Sequence, residues 1–123
     1  MKIKLPIQTK ELKGEELIKT ESEKEFELDT TLAAQIRFET KFPELAQKED
    51  LFDYSKRITA NEQLTAGVII SKMKMLYCWL ETDIDFVHFL KMFDLTDIDY
   101  ITKLTNSIKK AISIVFDSSA EKN

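Results

Sequence analysis

Residues 64–80, LTAGVIISKMKMLYCWL, form the longest apolar run in the chain and are interrupted only by Thr65, Ser71, Lys72 and Lys74. The apolar side chains cover two neighbouring faces of a helix, which is a wider arc than a surface helix needs. Two lysines within this run exclude a membrane span, which needs about twenty mostly apolar residues. The stretch therefore predicts a central core helix, and the rest of the chain must pack around it.

The composition favours helices. The chain has 123 residues, of which 43% are apolar and 33% charged, with only two glycines and two prolines. This mixture is typical of helix-rich soluble proteins and is poor in the turn residues that a many-stranded sheet requires. We therefore predict one domain of mainly α class, a single compact bundle of about five helices with an extended N-terminal arm that can form two strands.

Residues 1–28 differ from the rest and are predicted to form this extended or flexible arm. In KIKLPIQ, apolar and polar residues alternate around Pro6, a pattern that indicates a short segment at a sheet edge, since proline cannot donate to a strand ladder. Residues 25–28 alternate in the same way and can pair with the first segment. The charge-rich segment 10–24 contains Gly14 and is interpreted as a loop or turn.

Residues 29–116 are predicted to be the helical domain, and residues 117–123, which are small and polar, a flexible tail. Apolar spacing at i, i+3, i+4 and i+7 places the helices. They are expected at about 30–41, from Leu51 to Ile58, at 64–80, from Phe86 to about Asp94, and at about 97–116. Gly67 lies near the start of the central helix, where glycine costs up to about 1 kcal/mol against alanine unless a neighbouring backbone approaches closely, so Gly67 is a candidate crossing point.

Catalytic chemistry has no support in the residues. Cys78 and His88 are the only cysteine and histidine, and a thiol inside an apolar run is usually a small core residue. One cysteine and one histidine cannot supply the four ligands of a typical zinc site. The aspartates in the segment 83–99 lack the glycine and glutamate of a calcium loop, and no glycine-rich phosphate loop is present. We predict no enzyme activity, no cofactor and no metal site.

The net charge and the start of the chain indicate which partners and which location to expect. The net charge of -4 disfavours a phosphate-binding surface, because nucleic-acid affinity rests on clustered lysine and arginine. The start of the chain, MKIKLPIQTKEL, lacks the apolar region and cleavage site of a secretory signal. We expect a cytoplasmic protein that binds neither nucleic acid nor membrane.

Methionines and aromatic residues on the central helix and the segment after it suggest a binding surface. Thioethers and aromatic rings adapt to variable apolar helices. The alternative is that these residues only form the core, as apolar residues at helical spacing usually do. One thin helix cannot bury them all, so we predict that some contact a partner or a second copy. The predicted partner-binding residues are Met73, Met75, Tyr77, Trp79, Phe86, Phe89, Met92 and Phe93.

Four segments in this order resemble the tail assembly chaperones of siphophages that infect Gram-positive bacteria, especially lactococcal and streptococcal ones. They are FELDTTLAAQIRFETKFPELAQKEDLFDYSKRI (26–58), SKMKMLYCWLETD (71–83), FLKMFDL (89–95) and IVFDSSAEKN (114–123). The likeness covers roughly residues 25–120 and consists of small cues, such as the Asp-Thr-Thr-Leu helix start and the Phe-Pro stop. It includes no active-site signature and no part of the N-terminal arm.

The resemblance implies that the protein binds the tape measure protein, keeps its hydrophobic helices soluble, and delivers it for tail tube assembly in the host cytoplasm without entering the mature virion. It also implies self-association into a ring or spiral and contact with the tail tube protein. Because such chaperones are often made in two lengths by a ribosomal frameshift, we hypothesise a longer product. An A-rich run can encode the final Lys122-Asn123.

Two other functions remain as alternatives. A structural component of the virion, such as a connector or completion protein, would share the small size, the helices and the oligomerisation. A helical nucleic-acid-binding regulator would use the basic residues Lys72, Lys74, Lys109 and Lys110, although the acidic balance of the chain disfavours it.

Overall fold

The computed structural model describes residues 1–121, and it describes side chains as far as Phe116. The strands are β1 (Lys2–Lys13), β2 (Glu16–Leu28) and β3 (Leu80–Glu81). The helices are α1 (Leu32–Lys41), α2 (Pro43–Ala46), α3 (Leu51–Thr59), α4 (Ala66–Trp79), α5 (Phe86–Leu90) and α6 (Ile98–Glu121). Within the described range, six helices thus accompany a three-stranded antiparallel sheet of order β1-β2-β3. The predicted mainly α bundle is wrong, because the fold is mixed α/β.

The N-terminal arm is one long β-hairpin, paired from Lys2 opposite Glu27 to Lys13 opposite Glu16. The pairing of residues 25–28 with the first segment is confirmed, but the loop predicted for residues 10–24 is wrong. Gly14 has a φ of +66° at the first of the two turn residues, the conformation that a tight type II′ hairpin turn requires. This turn lets both strands stay paired through a segment that carries almost no apolar pattern.

The outer edge of β1 is fixed to the segment between α5 and α6. The Gln8 amide donates to the Met92 carbonyl oxygen at 3.1 Å, and the Asp94 amide donates to the Gln8 carbonyl oxygen at 2.9 Å. The Tyr100 hydroxyl donates to the Pro6 carbonyl oxygen at 2.7 Å. Pro6 thus lies at the sheet edge, as predicted, where its missing N–H costs no ladder bond.

Helix α4 lies at the centre of the core, as the apolar run predicted. It packs against α1, α3, α5 and α6. The Tyr54 hydroxyl ties α3 to α4 by donating to the Ser71 carbonyl oxygen at 3.0 Å. The expected close crossing at Gly67 is wrong, because within the described part of the chain no atom outside the local helix backbone lies within 4 Å of the position that a Cβ would take there.

The other predicted helices are present with shifted ends. The Thr31 hydroxyl caps α1 by accepting from the Ala33 amide, and Pro43 begins the short α2. Helix α6 continues to Glu121, beyond the predicted end at 116. Of residues 117–121 only the backbone is described, and Lys122 and Asn123 lie outside the described residues, so the flexible tail stays a prediction.

Candidate functional site

Most of the predicted binding residues lie in the core. Met73, Met75, Tyr77, Trp79 and Phe89 are all at most 5% exposed. Phe86, Met92 and Phe93 are partly buried and pack against the same core. In this conformation the face that the sequence suggested for a partner is therefore mainly interior.

An aromatic cluster explains this burial. The Phe89 ring lies 5.4 Å from Tyr77, 5.1 Å from Phe93 and 5.7 Å from Phe26 on the hairpin. The Phe86 ring lies 5.3 Å from Tyr77. The Tyr77–Phe89 pair is tilted and the other three pairs are edge-to-face, and edge-to-face contacts stabilise a pair beyond the apolar area it buries. The cluster joins the hairpin to α4 and α5, and it brings four of the eight predicted residues together for packing.

A groove of about 640 Å³ opens on another side of the molecule, between the starts of α1 and α3, the end of α4 and the C-terminal part of α6. We call it the aromatic groove and define it by its apolar lining residues, which are Leu32, Leu51, Phe52, Trp79, Val115 and Phe116. Leu32 is 88% exposed and Phe52 60% exposed at its rim, whereas Trp79 is 5% exposed. The groove thus has a fixed aromatic floor and a water-exposed apolar rim.

The ring contacts give the groove its shape. The Phe116 ring stands edge-on to Trp79 at 5.6 Å and lies 6.3 Å from Phe52. The ammonium of Lys56 lies 4.6 Å from the centre of the Phe52 ring. Among the side chains described, which end at Phe116, Asp50 is the only ionisable one in the lining. Such a surface suits an apolar side-chain row and offers almost no charge to a ligand.

Helix caps position the two rim residues. Asp50 accepts from the Asp53 amide at 2.8 Å and starts α3, which turns Leu51 inward and leaves Phe52 exposed. The Gln35 side-chain oxygen accepts from the Leu51 amide at 2.8 Å and joins α1 to α3. The rim is therefore held by the cap of α3 and by one hydrogen bond between α1 and α3.

An arginine holds the floor of the groove. The Arg37 guanidinium forms an ion pair with Asp29, with Nη1 and Oδ2 3.0 Å apart, and its Nε donates to the Cys78 carbonyl oxygen at 2.8 Å. Asp29 also accepts from the Thr31 hydroxyl at 2.7 Å and from the Thr31 amide at 2.9 Å. These bonds, and then the Arg37 charge, lower the pKa of Asp29 to about 2. The network fixes the start of α1 to the end of α4 beside Trp79.

A smaller apolar cleft of about 160 Å³ lies between the start of α4 and the segment that precedes α6. Met73 and Phe93 from the predicted set line it together with Ile70, Leu95 and Leu104. Leu95 is 61% exposed and Ile70 39% exposed. The cleft has room for about one leucine side chain, far less than the aromatic groove.

The structure offers little catalytic or metal chemistry. The Cys78 side chain is fully buried, and burial raises its thiol pKa to about 12. His88 is exposed and bonded to Asp85 on its own helix. Among the side chains of residues 1–116, no group of three or more His, Cys, Asp or Glu could hold a metal ion. In the same range no helix is both long and apolar enough to cross a bilayer.

The basic residues of the nucleic-acid alternative are not presented as one patch. Lys72 is 4% exposed, and burial together with nearby Lys109 lowers its pKa. The Lys74 ammonium lies 5.8 Å from the centre of the Phe42 ring. Because nucleic-acid affinity requires several exposed cations along one track, this arrangement gives the alternative no support.

Sequence reasoning missed the rim of the aromatic groove. On α3, the residues Leu51, Tyr54 and Ile58 share the buried face, and Phe52 is out of phase with them. On α1, Leu32 and Ile36 are exposed opposite the buried Ala34 and Phe38. An apolar residue on the polar face of an amphipathic helix was the available signal.

No family model, no curated protein sequence and no solved structure matches this chain.

Proposed function

We propose that this protein is a tail assembly chaperone of a siphophage, and that it binds apolar helices of the tape measure protein in the aromatic groove. It keeps this partner soluble in the host cytoplasm, releases it as the tail tube forms, and does not enter the mature virion. The observation that carries the proposal is the groove itself, which leaves Leu32 and Phe52 exposed to water above the aromatic floor.

The physical fit of the groove supports a helical apolar partner. An amphipathic helix presents side chains at i, i+3, i+4 and i+7 as a row, which a groove between helices can accept. A volume of about 640 Å³ accommodates several such side chains. Since Asp50 is the one ionisable residue in the described part of the lining, an apolar row fits better than an acidic or basic one.

The proposed contact surface differs from the set of binding residues predicted from the sequence. Trp79 is the one member of the predicted set that lines the aromatic groove, while Met73 and Phe93 line the smaller cleft. The remaining predicted residues act by packing α4 and α5 behind these surfaces. Self-association into a ring or spiral, contact with the tail tube protein and a longer frameshifted form belong to the same proposal.

Co-expression tests this function. The candidate tape measure protein from the same gene cluster would be produced alone and together with this chain, followed by solubility assays and size-exclusion chromatography with light scattering. We expect the partner to precipitate alone and to form a soluble joint complex with the chaperone. A partner that stays insoluble while this chain elutes alone would contradict the proposal.

Variants locate the contact. Phe52→Asp and Leu32→Asp place a charge at the groove rim, where both side chains are exposed, so we expect a folded protein that no longer keeps the partner soluble. Val87→Asp is the matched control, because Val87 is also 60% exposed but lies on α5, outside the groove. Equal loss in all three variants would exclude the groove as the site. Detection of the protein in purified virions would favour the structural-component alternative.

A further inference from the structure

One long strand edge of the hairpin has no partner strand in the described structure. Strand β3 pairs only with Glu27 and Leu28 of β2. Residues 15–23 are all exposed. Strands with an open edge of this length are normally covered or blocked, since their free N–H and C=O groups can pair with another chain.

The alternation of the ladder shows which backbone groups face this open edge. Both backbone groups of Gln8 point away from β2, toward Met92 and Asp94, so the odd-numbered residues of β1 bond to β2. Their partners on β2 are even-numbered, for example Thr20 opposite Thr9. The odd-numbered residues of β2 therefore direct their N–H and C=O groups outward, as the bond from the Asp29 amide to the Trp79 carbonyl oxygen also indicates.

We propose that β2 of a second copy of this chain pairs with this edge, antiparallel and centred on Thr20 opposite Thr20. The segment ELIKTESEK (16–24) is complementary to itself in this register. Lys19 lies opposite Glu21 of the second copy, and Glu16 lies opposite Lys24, each pair occurring twice. Cross-strand pairs of opposite charge and threonine pairs both stabilise a ladder.

Neighbouring registers are disfavoured by the same charges. Outward-pointing residues must face one another, so the register changes in steps of two residues. The register centred on Lys19 places Lys19 opposite Lys19, and like charges directly opposite are destabilising. The register centred on Glu21 places Glu21 opposite Glu21 and also pairs Lys19 with Glu23. It is blocked by space, because it brings Glu15 of the second copy opposite Glu27, where β3 already pairs.

The Thr20-centred register fits the space that β3 leaves. The hairpin turn of the second copy, at residues 14–15, falls beside residues 25–26, just before β3 begins to pair at Glu27. The result is a continuous four-stranded sheet of order β1-β2-β2-β1 with about eight hydrogen bonds between the copies. The interface is isologous, so this contact alone links two copies, and a ring or spiral needs an additional contact. It does not involve the aromatic groove, so failure of this pairing and failure of partner binding in the groove are measured separately.

Cysteine cross-linking tests the register. Thr20 is not hydrogen-bonded to its counterpart in this pairing, so the two Cα atoms come within roughly 4.5 Å, a distance that a disulfide spans. We expect full-length Thr20→Cys to form a covalent dimer under mild oxidation. Thr9→Cys is the control, because Thr9 is exposed on the same face but lies about 14 Å from its counterpart, two strands further apart. The buried native Cys78 does not interfere. Cross-linking through Thr9 and not Thr20 would overturn the proposal.

Sedimentation over a range of concentrations tests the interface in the uncross-linked chain. Glu21→Pro removes an outward N–H, no backbone hydrogen bond within the hairpin, and one exposed ion pair with Lys19, so we expect a monomer with an unchanged circular dichroism spectrum. Glu21→Lys should raise the dimer dissociation constant about tenfold or more, and adding Lys19→Glu should restore it. A wild-type chain that stays monomeric, or a Glu21→Pro variant that still dimerises, would overturn the proposal.

Discussion

Arg37 forms an ion pair with Asp29, with Nη1 3.0 Å from Oδ2, and so joins α1 to the end of the hairpin. Hydrogen bonds from Thr31, and then the Arg37 charge, lower the pKa of Asp29 from 3.8 to about 2. A carboxylate with a lowered pKa in the folded state stabilises the protein above its unfolded pKa and loses this effect as the pH falls toward the folded value. We therefore expect Asp29→Asn to lower the free energy of unfolding at neutral pH and to reduce its fall between about pH 4 and pH 2.

Urea unfolding at several pH values measures this effect. Asp53→Asn is a suitable control, since its side chain is 58% exposed and pairs only with Lys56 on the same helix. If the free energy of unfolding depends on pH in the same way in the wild type and in Asp29→Asn, the ion pair does not contribute to the pH dependence of stability.

The Cys78 thiol should be unreactive in the folded protein. Burial raises the pKa of its thiol to about 12, with only a small opposing effect from Arg37, and the thiolate is the reactive form. We expect a thiol reagent at pH 8 to modify Cys78 only after denaturation, and to modify the exposed thiol of Thr20→Cys at once. Rapid labelling of the native wild type would show that α4 opens locally.

Substitutions of two phenylalanines should distinguish residues that stabilise the core from residues that bind a partner. Phe89 is fully buried among aromatic rings, so Phe89→Ala should cost about 3–5 kcal/mol of stability. Phe52 is 60% exposed at the groove rim, so Phe52→Ala should cost below about 1 kcal/mol while weakening retention of an apolar partner. Denaturant unfolding and partner solubility would be measured on both variants. If Phe89→Ala stays folded and stable but no longer binds the partner, Phe89 belongs to the binding surface, as the sequence predicted.

Replacing each of the two glycines by alanine should change the stability of the protein in opposite directions. Gly67 lies in helix α4 with open space where a Cβ would be, so Gly67→Ala should raise stability by about 0.5–1 kcal/mol. Gly14 has a φ of +66°, where an alanine is strained, so Gly14→Ala should lower stability by about 1 kcal/mol. Thermal unfolding of both variants provides the comparison. A destabilising Gly67→Ala would indicate a close neighbour at α4 in the assembled state.

The helices were predictable because their apolar residues repeat with the helical period. The run at 64–80 and the stripe from Ile101 to Val115 gave α4 and α6, since each must bury a continuous face. Most of β2 was not predictable in this way, because residues 16–23 are exposed on both faces and carry no alternation. Its pairing follows from the turn at Gly14 and from contacts with distant residues.

The candidate site was harder to predict for a related reason. Adaptable residues such as Met75 and Tyr77 suit both a core and a binding surface, and periodicity does not distinguish the two. The structure buries them. The exposed rim depends on the angle between α1 and α3, which the hydrogen bond between Gln35 and Leu51 sets and no local pattern encodes.

The contacts of the hairpin impose an order on folding. Gln8 binds Asp94, 86 residues away, and Tyr100 binds Pro6 across 94 residues. During synthesis the arm leaves the ribosome before the helical segments, and the residues that cover its apolar face, including Phe89 and Tyr100, are made much later. Contacts of long sequence separation form slowly, and strand edges left uncovered in the meantime promote aggregation. We therefore expect docking of the hairpin to be the late step of folding, after α1, α3 and α4 have assembled.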